Sequence, residues 1–262
     1  MSSRLTEREI FALGVPLVRR VELLDEVTST QVVARELAAA GAPDGTLVLA
    51  CRQAGGKGRL GRDWGSPEGG LWMSLLLRPE FAPQLAPRIT QSAAVAVAKT
   101  LIEFGILAKV KWPNDILVDG RKICGVLAES KMTFGEGGVR LDHAVLGIGL
   151  NVNLDPEDLG LSEYQAASVR GELGRGVPLL ELLSKLLPKL ATELNDVEDF
   201  RGTLRDLKNL SDTLGRCVRV RRLGEVVEGV AVEIDPEGTL ILSTENGLVQ
   251  LFEGDVEYLR GL

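Results

Sequence analysis

Cysteine is scarce in this chain of 262 residues: Cys51, Cys124 and Cys217 stand far apart, with no C-x-x-C pair. That spacing excludes a disulfide framework and a cysteine zinc site, and reads as small apolar side chains of the interior. Histidine is scarcer. His143 alone rules out a two-histidine metal site and leaves a Ser-His-Asp triad no choice of base, so it reads as a solvated or hydrogen-bonded strand residue. Long apolar runs are missing too. The most apolar stretch, SAAVAVAKTLIEFGI, carries Lys99 and Glu103 at helical spacing and is too short and too charged to span a bilayer. The opening MSSRLTEREIF has no apolar segment after a basic one, so the expectation is a cytoplasmic location with no membrane partner. Positive charge is in deficit: 30 Lys and Arg against 37 Asp and Glu leave a net charge of -7. That balance excludes the broadly basic surface of a non-specific nucleic-acid binder, and any polyanion site must be local. The 45% hydrophobic content is ample for a core.

What is present alternates strand-like and helical patterns. A strand is expected over 17–27, then a helix capped by Thr28 or Ser29 and stopped at Gly41. Strands follow at 45–53 and 71–79, a long helix at 84–105 and another strand from 108. Asp119-Gly120 between apolar runs predicts a type I′ hairpin with Lys122 just beyond the turn. One more strand lies in VRLDHAVLGIGLNVNL; the region 155–210 is polar, then helical with an interruption at Pro188. From about Ser211 five short strands predict a small β-barrel, which places a domain boundary near Leu210, between 1–210 and 211–262.

The run RQAGGKGRLGRDWGSPEGGLW contains Gly56-Lys57-Gly58-Arg59-Leu60-Gly61, the spacing G-x-G-x-x-G. A dinucleotide loop must follow a strand and open a helix, because the pyrophosphate sits on the helix N-terminus. Here the chain after Gly61 is too rich in Gly and Pro for a helix, and no Ser or Thr follows a G-K pair as a P-loop requires. What remains is a flexible loop with Arg52, Lys57, Arg59 and Arg62. It reads either as a phosphate clamp, with charge-assisted bonds worth about 1.5–3 kcal/mol each, or as a solvated basic loop. Composition and periodicity go no further than a phosphate-binding α/β enzyme.

Four further segments carry a resemblance: EVTSTQ (26–31), SPEGGLWMSLLL (66–77), KWPNDILVDGRKICGVLAES (111–130) and GIGLNVN (147–153). In this order and spacing the chain resembles the biotin protein ligase family from about residue 17 onward, most specifically in K-W-P-N-D followed by a hairpin and G-K-[IL]-x-G. The resemblance implies an α+β fold: a mixed β-sheet with helices packed on one side, plus a C-terminal SH3-like β-barrel. It also implies activation of biotin by Mg-ATP to biotinyl-5′-AMP and pyrophosphate, then transfer to a lysine of a carboxylase's biotin carboxyl carrier domain.

Roles carry over residue by residue. Ser29 and Thr30 match the pair that bonds the biotin head; Gln31 stands where the family usually has Asn. Gln53 matches the glutamine closing over the ureido ring, with a surface polar residue as the plainer alternative. Gly56, Lys57, Gly58 and Arg59 belong to the loop ordering over biotin and adenylate, Lys57 through its backbone and Arg59 toward phosphate. Trp64 packs near the adenylate, whereas Trp72 reads as core. Lys122 is the expected catalytic ammonium, stabilising charge on the α-phosphate and leaving pyrophosphate. Lys111, Asn114 and Asp115 match the family string; Asp115 either holds Mg²⁺ or accepts a proton from the incoming lysine. Gly147, Gly149 and Asn151 belong to the biotin side, the glycines either admitting the ring or marking a bulge. The ending EGDVEYLR is one residue longer than the family's and gives weak support for ATP contacts by Asp255 or Arg260. Only about sixteen residues precede the first strand, so the expectation is a monofunctional ligase without DNA binding. A homodimer is expected by analogy. The alternatives are a lipoate or octanoate ligase and a non-catalytic biotin sensor.

Overall fold

The computed structural model describes residues 5–135, 138–155, 158, 166–222 and 224–259. A short helix α1 (Glu7–Ala12), closed by a Thr6/Glu9 capping box, precedes β1 (Arg20–Val27). Helix α2 (Thr30–Ala39) takes Ser29 as its N-cap, its hydroxyl accepting from the Gln31 N–H, and crosses to β2 (Thr46–Gln53), parallel to β1. Then come β3 (Leu71–Leu77), α3 (Ala86–Glu103), β4 (Lys109–Lys111), β5 (Asp115–Val118), β6 (Arg121–Gly135) and β7 (Gly138–Leu150). They complete a seven-stranded mixed sheet of order β1-β2-β3-β7-β6-β5-β4.

Strand alternation sorts the core. Leu47, Leu49, Met73, Leu75 and Leu146 face α3 in the main cluster, which also takes the apolar face of α5 (Leu179–Asn195). Val48, Leu76 and Val145 point to the opposite face and pack under Ala34 and Ala38 of α2. The large helices thus share one side, as expected, while α2 alone takes the other beside the open floor of the site. Pro188 does not interrupt α5, contrary to the sequence reading. It sits on the exposed face, where the carbonyl one turn back can turn to water, while buried Leu183, Leu186, Leu187 and Leu190 hold the helix.

Helices α4 (Val169–Leu173) and α6 (Arg201–Asn209) lead to β8 (Cys217–Arg222), β9 (Glu225–Ile234), β10 (Leu240–Thr244), β11 (Gly247–Leu251) and β12 (Asp255–Tyr258). These five form an antiparallel sheet of order β11-β10-β9-β8-β12. All five expected strands are present; the sheet is open, because the described strands β11 and β12 do not pair with each other. Its apolar face continues the main core through Val218, Val220, Ala231 and Leu242. At the seam the Gly238 carbonyl accepts from Gln91 Nε2 (2.7 Å) and Trp112 Nε1 (3.0 Å), both buried side chains. Among the described residues no helix is long and apolar enough to cross a membrane.

Candidate active site

Lys122 owes its place to a turn and a bulge. Asp119 (φ 48°) and Gly120 (φ 75°) both adopt positive φ, as a type I′ hairpin demands. Simple alternation from Gly125 would put Lys122 on the α3 side. The register shifts, however, between Ile116 and Leu117, so Asp115 pairs with Gly125 but Leu117 pairs with Lys122. The extra residue turns Ile123 into the core and swings Lys122 onto the face of Asp115 and Gly125. There its Nζ lies 2.6 Å from Asp115 Oδ1 and 5.0 Å from the centre of the Trp64 ring.

The glycine-rich segment folds back on itself as a hairpin arm. Gln53 N–H bonds to Ser66 O (3.0 Å), Trp64 N–H to Gly56 O (2.9 Å) and Gly58 N–H to Arg62 O (2.8 Å), making a narrow hairpin tipped by Arg59-Leu60-Gly61. Gly56 is where no Cβ fits, since it would lie 2.7 Å from Ser66 Oγ and from Trp64 O. Lys57 Nζ crosses the arm to Asp63 (2.5 Å). Arg59 Nη1 donates to Asn114 Oδ1 and to Gly254 O, both at 3.0 Å, and Arg62 pairs with Asp255. The arm therefore reaches from the large sheet to the small one.

Under the arm the floor is bare backbone. A Cβ on Gly147 would meet Gln31 Cδ and Oε1 at 3.0 Å, and one on Gly149 would meet Trp64 Nε1 at 2.6 Å. The register through Gly147 and Gly149 is regular, so these glycines mark no bulge; they let two side chains lie flat on the sheet. One end of this floor is uncharged: Gln53 Oε1 accepts from Thr30 N–H (2.8 Å) and Thr30 O–H (3.1 Å), and its Nε2 donates to Ser66 Oγ (2.8 Å). Asn151 Nδ2 is spent on Ala167 O (2.9 Å), while its buried Oδ1 and the buried Trp64 Nε1 have no partner. Such orphaned groups suit a cavity that receives a polar ligand.

The other end is cationic, with Lys111, Lys122, Arg59 and Arg62 around Asp115 and Asp255. Burial pushes the Lys111 ammonium below the usual lysine range despite the opposing charges of Asp115 and Asp255. Burial also works against the Asp255 carboxylate, but the Arg62 hydrogen bond and the nearby cations prevail and hold it below the usual range. Together these residues line one cavity of about 500 Å³.

Residues 23–151 match the Biotin/lipoate A/B protein ligase family, and residues 213–258 match the Biotin protein ligase C terminal domain. The bifunctional ligase/repressor BirA of Bacillus subtilis is 38% identical over 239 residues, covering 89% of this chain and 72% of the relative. This chain belongs to the biotin protein ligase family. The biotin--[acetyl-CoA-carboxylase] ligase of Paracoccus denitrificans is 32% identical over 84% of the chain and 92% of its own length. Among solved structures, the biotin protein ligase from Aquifex aeolicus in complex with biotin and ATP superposes with a TM-score of 0.76 at 29% identity, covering 93% of this chain and all of that one.

Of the site residues read from the sequence of this ligase, all line the cavity except Gly56, which shapes the arm behind it. Trp72 is core, with Nε1 bonded to Pro67 O (2.8 Å), and His143 is a buried strand residue bonded to Asp142 (2.7 Å). The cysteines are free; Cys124 is buried and Cys51 and Cys217 are half-buried. Asp255 does line the cavity, whereas Arg260 lies outside the described residues. Sequence reading missed Gly125 and Tyr258, which line the cavity, and Ser74, which stands behind it bonded to Thr30 and Gln31. Gly125 was legible in the motif after Lys122, but Ser74 and Tyr258 enter through strand pairing that no local pattern signals.

Proposed function

We propose that this cavity joins biotin to AMP and passes the biotinyl group to a lysine of a biotin carboxyl carrier domain. One observation carries the reading: a hydrogen-bonding, uncharged end and a cationic end that includes Lys122 share one cavity. The uncharged end takes the ureido ring of biotin, and the cationic end takes the phosphates of ATP. A carboxylate oxygen of biotin attacks the α-phosphorus; a new O–P bond forms as the bond to the β-phosphate oxygen breaks, and pyrophosphate leaves with the electron pair. Lys122 and Arg59 stabilise the charge that builds on those oxygens, beyond what they offer the ground state. The carrier lysine then attacks the acyl carbon, AMP departs, and Asp115 accepts the proton lost by the amine.

Magnesium would be brought by the nucleotide and would neutralise phosphate charge. Among the described residues no group of three His, Cys, Asp or Glu side chains can hold a metal, and Asp115 and Asp255 are each paired to a cation. That donor set suits a metal that would be carried by phosphate and water, which leaves Asp115 to the proton transfer.

ATP–pyrophosphate exchange with biotin, lipoate and octanoate offered separately tests the assignment. Exchange with biotin alone, lowered about a hundredfold or more in Lys122→Ala, is expected; exchange with lipoate or octanoate would transfer the chain to the sister chemistry. Incorporation of biotin into an added carrier domain separates a ligase from a sensor. Self-association is part of the same reading, since beyond Val126, whose N–H and carbonyl bond Asn114, the described part of β6 pairs only with β7 and leaves a strand edge open. Sedimentation with and without biotin and ATP checks it. A cytoplasmic location completes the reading.

A further inference from the structure

Lys111 is held from the small sheet. The chain on either side of it is fixed by the segment that leads into that sheet: Val110 N–H donates to Leu210 O (2.8 Å), Asp212 N–H to Val110 O (2.8 Å) and Trp112 N–H to Thr213 Oγ1 (2.9 Å). The Lys111 ammonium lines the cavity and makes no hydrogen bond or ion pair among the described residues. What it meets is the ring of Tyr258, with Nζ 5.1 Å from the ring centre. Tyr258 is set by its own strand. Val256 and Tyr258, two apart on β12, share the face that packs on the main core, and Leu259 N–H bonds to Cys217 O (3.0 Å). Arg216, paired with Asp212 (2.9 Å), lies over the same ring at 4.7 Å. Burial and the Asp212 carboxylate hold the phenol above its usual range, so the ring is neutral.

We propose that Tyr258 is a positioning residue for nucleotide binding: its ring holds the Lys111 ammonium in the cavity without using any of the N–H donors that phosphate needs. This rests on the proposed function and deepens it. Lys122 shows the alternative arrangement, its Nζ 2.6 Å from Asp115 Oδ1 and one donor spent there. A carboxylate partner for Lys111 would likewise take a donor and offset its charge, and the phosphates would have to compete with it. The face of an aromatic ring attracts the cation through its quadrupole and leaves every N–H group for phosphate oxygens. Burial, which pushes the Lys111 ammonium below the usual lysine range, makes the ring count for more, because such contacts strengthen as water is removed. Without the ring the long side chain is free among its rotamers, and nucleotide binding must order it. The carboxylates whose charge reaches it, Asp115 and Asp255, are already paired to Lys122 and Arg62.

The test uses full-chain Tyr258→Phe proteins whose ring carries from zero to three fluorines, which nearly keep the ring's shape while draining negative charge from its face. Affinity for α,β-methylene-ATP is measured by calorimetry with biotin present. Plain Tyr258→Phe should match the wild type, and each added fluorine should weaken binding, to about tenfold with three. Affinity for biotin should stay within about twofold. In the Lys111→Met background the same series should be flat, which separates Lys111 from Arg216. A flat series with Lys111 in place, an equal slope in Lys111→Met, or a loss already complete in plain Tyr258→Phe overturns the proposal. Wild-type protein that binds the analogue but shows no biotin-dependent pyrophosphate exchange would instead sink the functional reading, and the series would still decide the part played by Tyr258.

Discussion

Gly149→Ala probes the floor of the site directly. The new methyl would fall 2.6 Å from Trp64 Nε1 and 2.9 Å from Cε2, closer than non-bonded atoms tolerate. Strand β7 cannot yield, because Gly149 is paired to both Trp72 and Gly125. Trp64 must move: its Nε1 has no hydrogen bond, and its ring lies among the glycine floor, the Lys122 ammonium and the Trp72, Leu154 and Ala166 cluster. Overpacking of this kind costs about 1–3 kcal/mol, which corresponds to roughly 5- to 150-fold in an apparent affinity. The loss should appear in KM for biotin and ATP in the exchange assay, with little change in Tm. Trp72 and Trp112 are fully buried, so a shift in intrinsic fluorescence reports Trp64. Gly147→Ala is the control, since it presses on Gln31 and should raise KM for biotin alone. Wild-type KM values with unchanged emission in Gly149→Ala would refute the account of this floor.

Three further perturbations test other parts of the structure. Asp255→Asn removes the Arg62 pair that ties the arm to β12; an exposed pair of this sort contributes at most about 1 kcal/mol to stability, so Tm should barely move while trypsin cleavage at Arg59 and Arg62 accelerates severalfold. Gly238→Ala combines a positive φ (83°) with a Cβ 2.1 Å from Gln91 Oε1, and should destabilise the chain by about 2–4 kcal/mol in urea unfolding, with partial relief in the Gln91→Ala background. Lys99 bridges Glu193 and Asp206 between α3, α5 and α6, so Lys99→Met should cost about 2–3 kcal/mol, the buried Glu193 being left unpaired.

The same cluster sets a pH dependence. Burial opposes the charge on Asp206, yet the Lys99 and Arg205 bonds win and hold its carboxyl below the usual range. Its stabilisation is therefore present above the unfolded-state pKa and disappears as pH falls through the folded one. Burial likewise opposes the Lys99 charge, but its two carboxylates raise its pKa, so that contribution is complete below the ordinary lysine range and fades at higher pH. Lys99→Met should flatten the acid limb of the urea-midpoint curve; an unchanged limb would contradict this.

Local chemistry was legible wherever one residue type has one job. Asp119-Gly120 specified its turn because both positions need positive φ, Ser29 specified a helix start, and the Gly and Pro after Gly61 excluded a dinucleotide helix. The motif segments named the cavity residues almost completely. Pro188 misled, because a helix tolerates proline on a wet face when its apolar face is buried, and burial is not a local property.

The sequence by itself determined the elements, the turn before Lys122 and the family, since each depends on residues close together in the chain or on strings too unlike one another to match by chance. Only the tertiary structure decided which way Lys122 faces, because one bulged residue in β6 reverses the side that alternation would assign. It alone brought Asp255 and Tyr258 of the small sheet to the cavity, and set Glu129 and Ser74 against Gln31 from 98 and 43 residues away. Those contacts arise from sheet pairing and packing between distant segments, and strand pairing carries no mark in either partner alone.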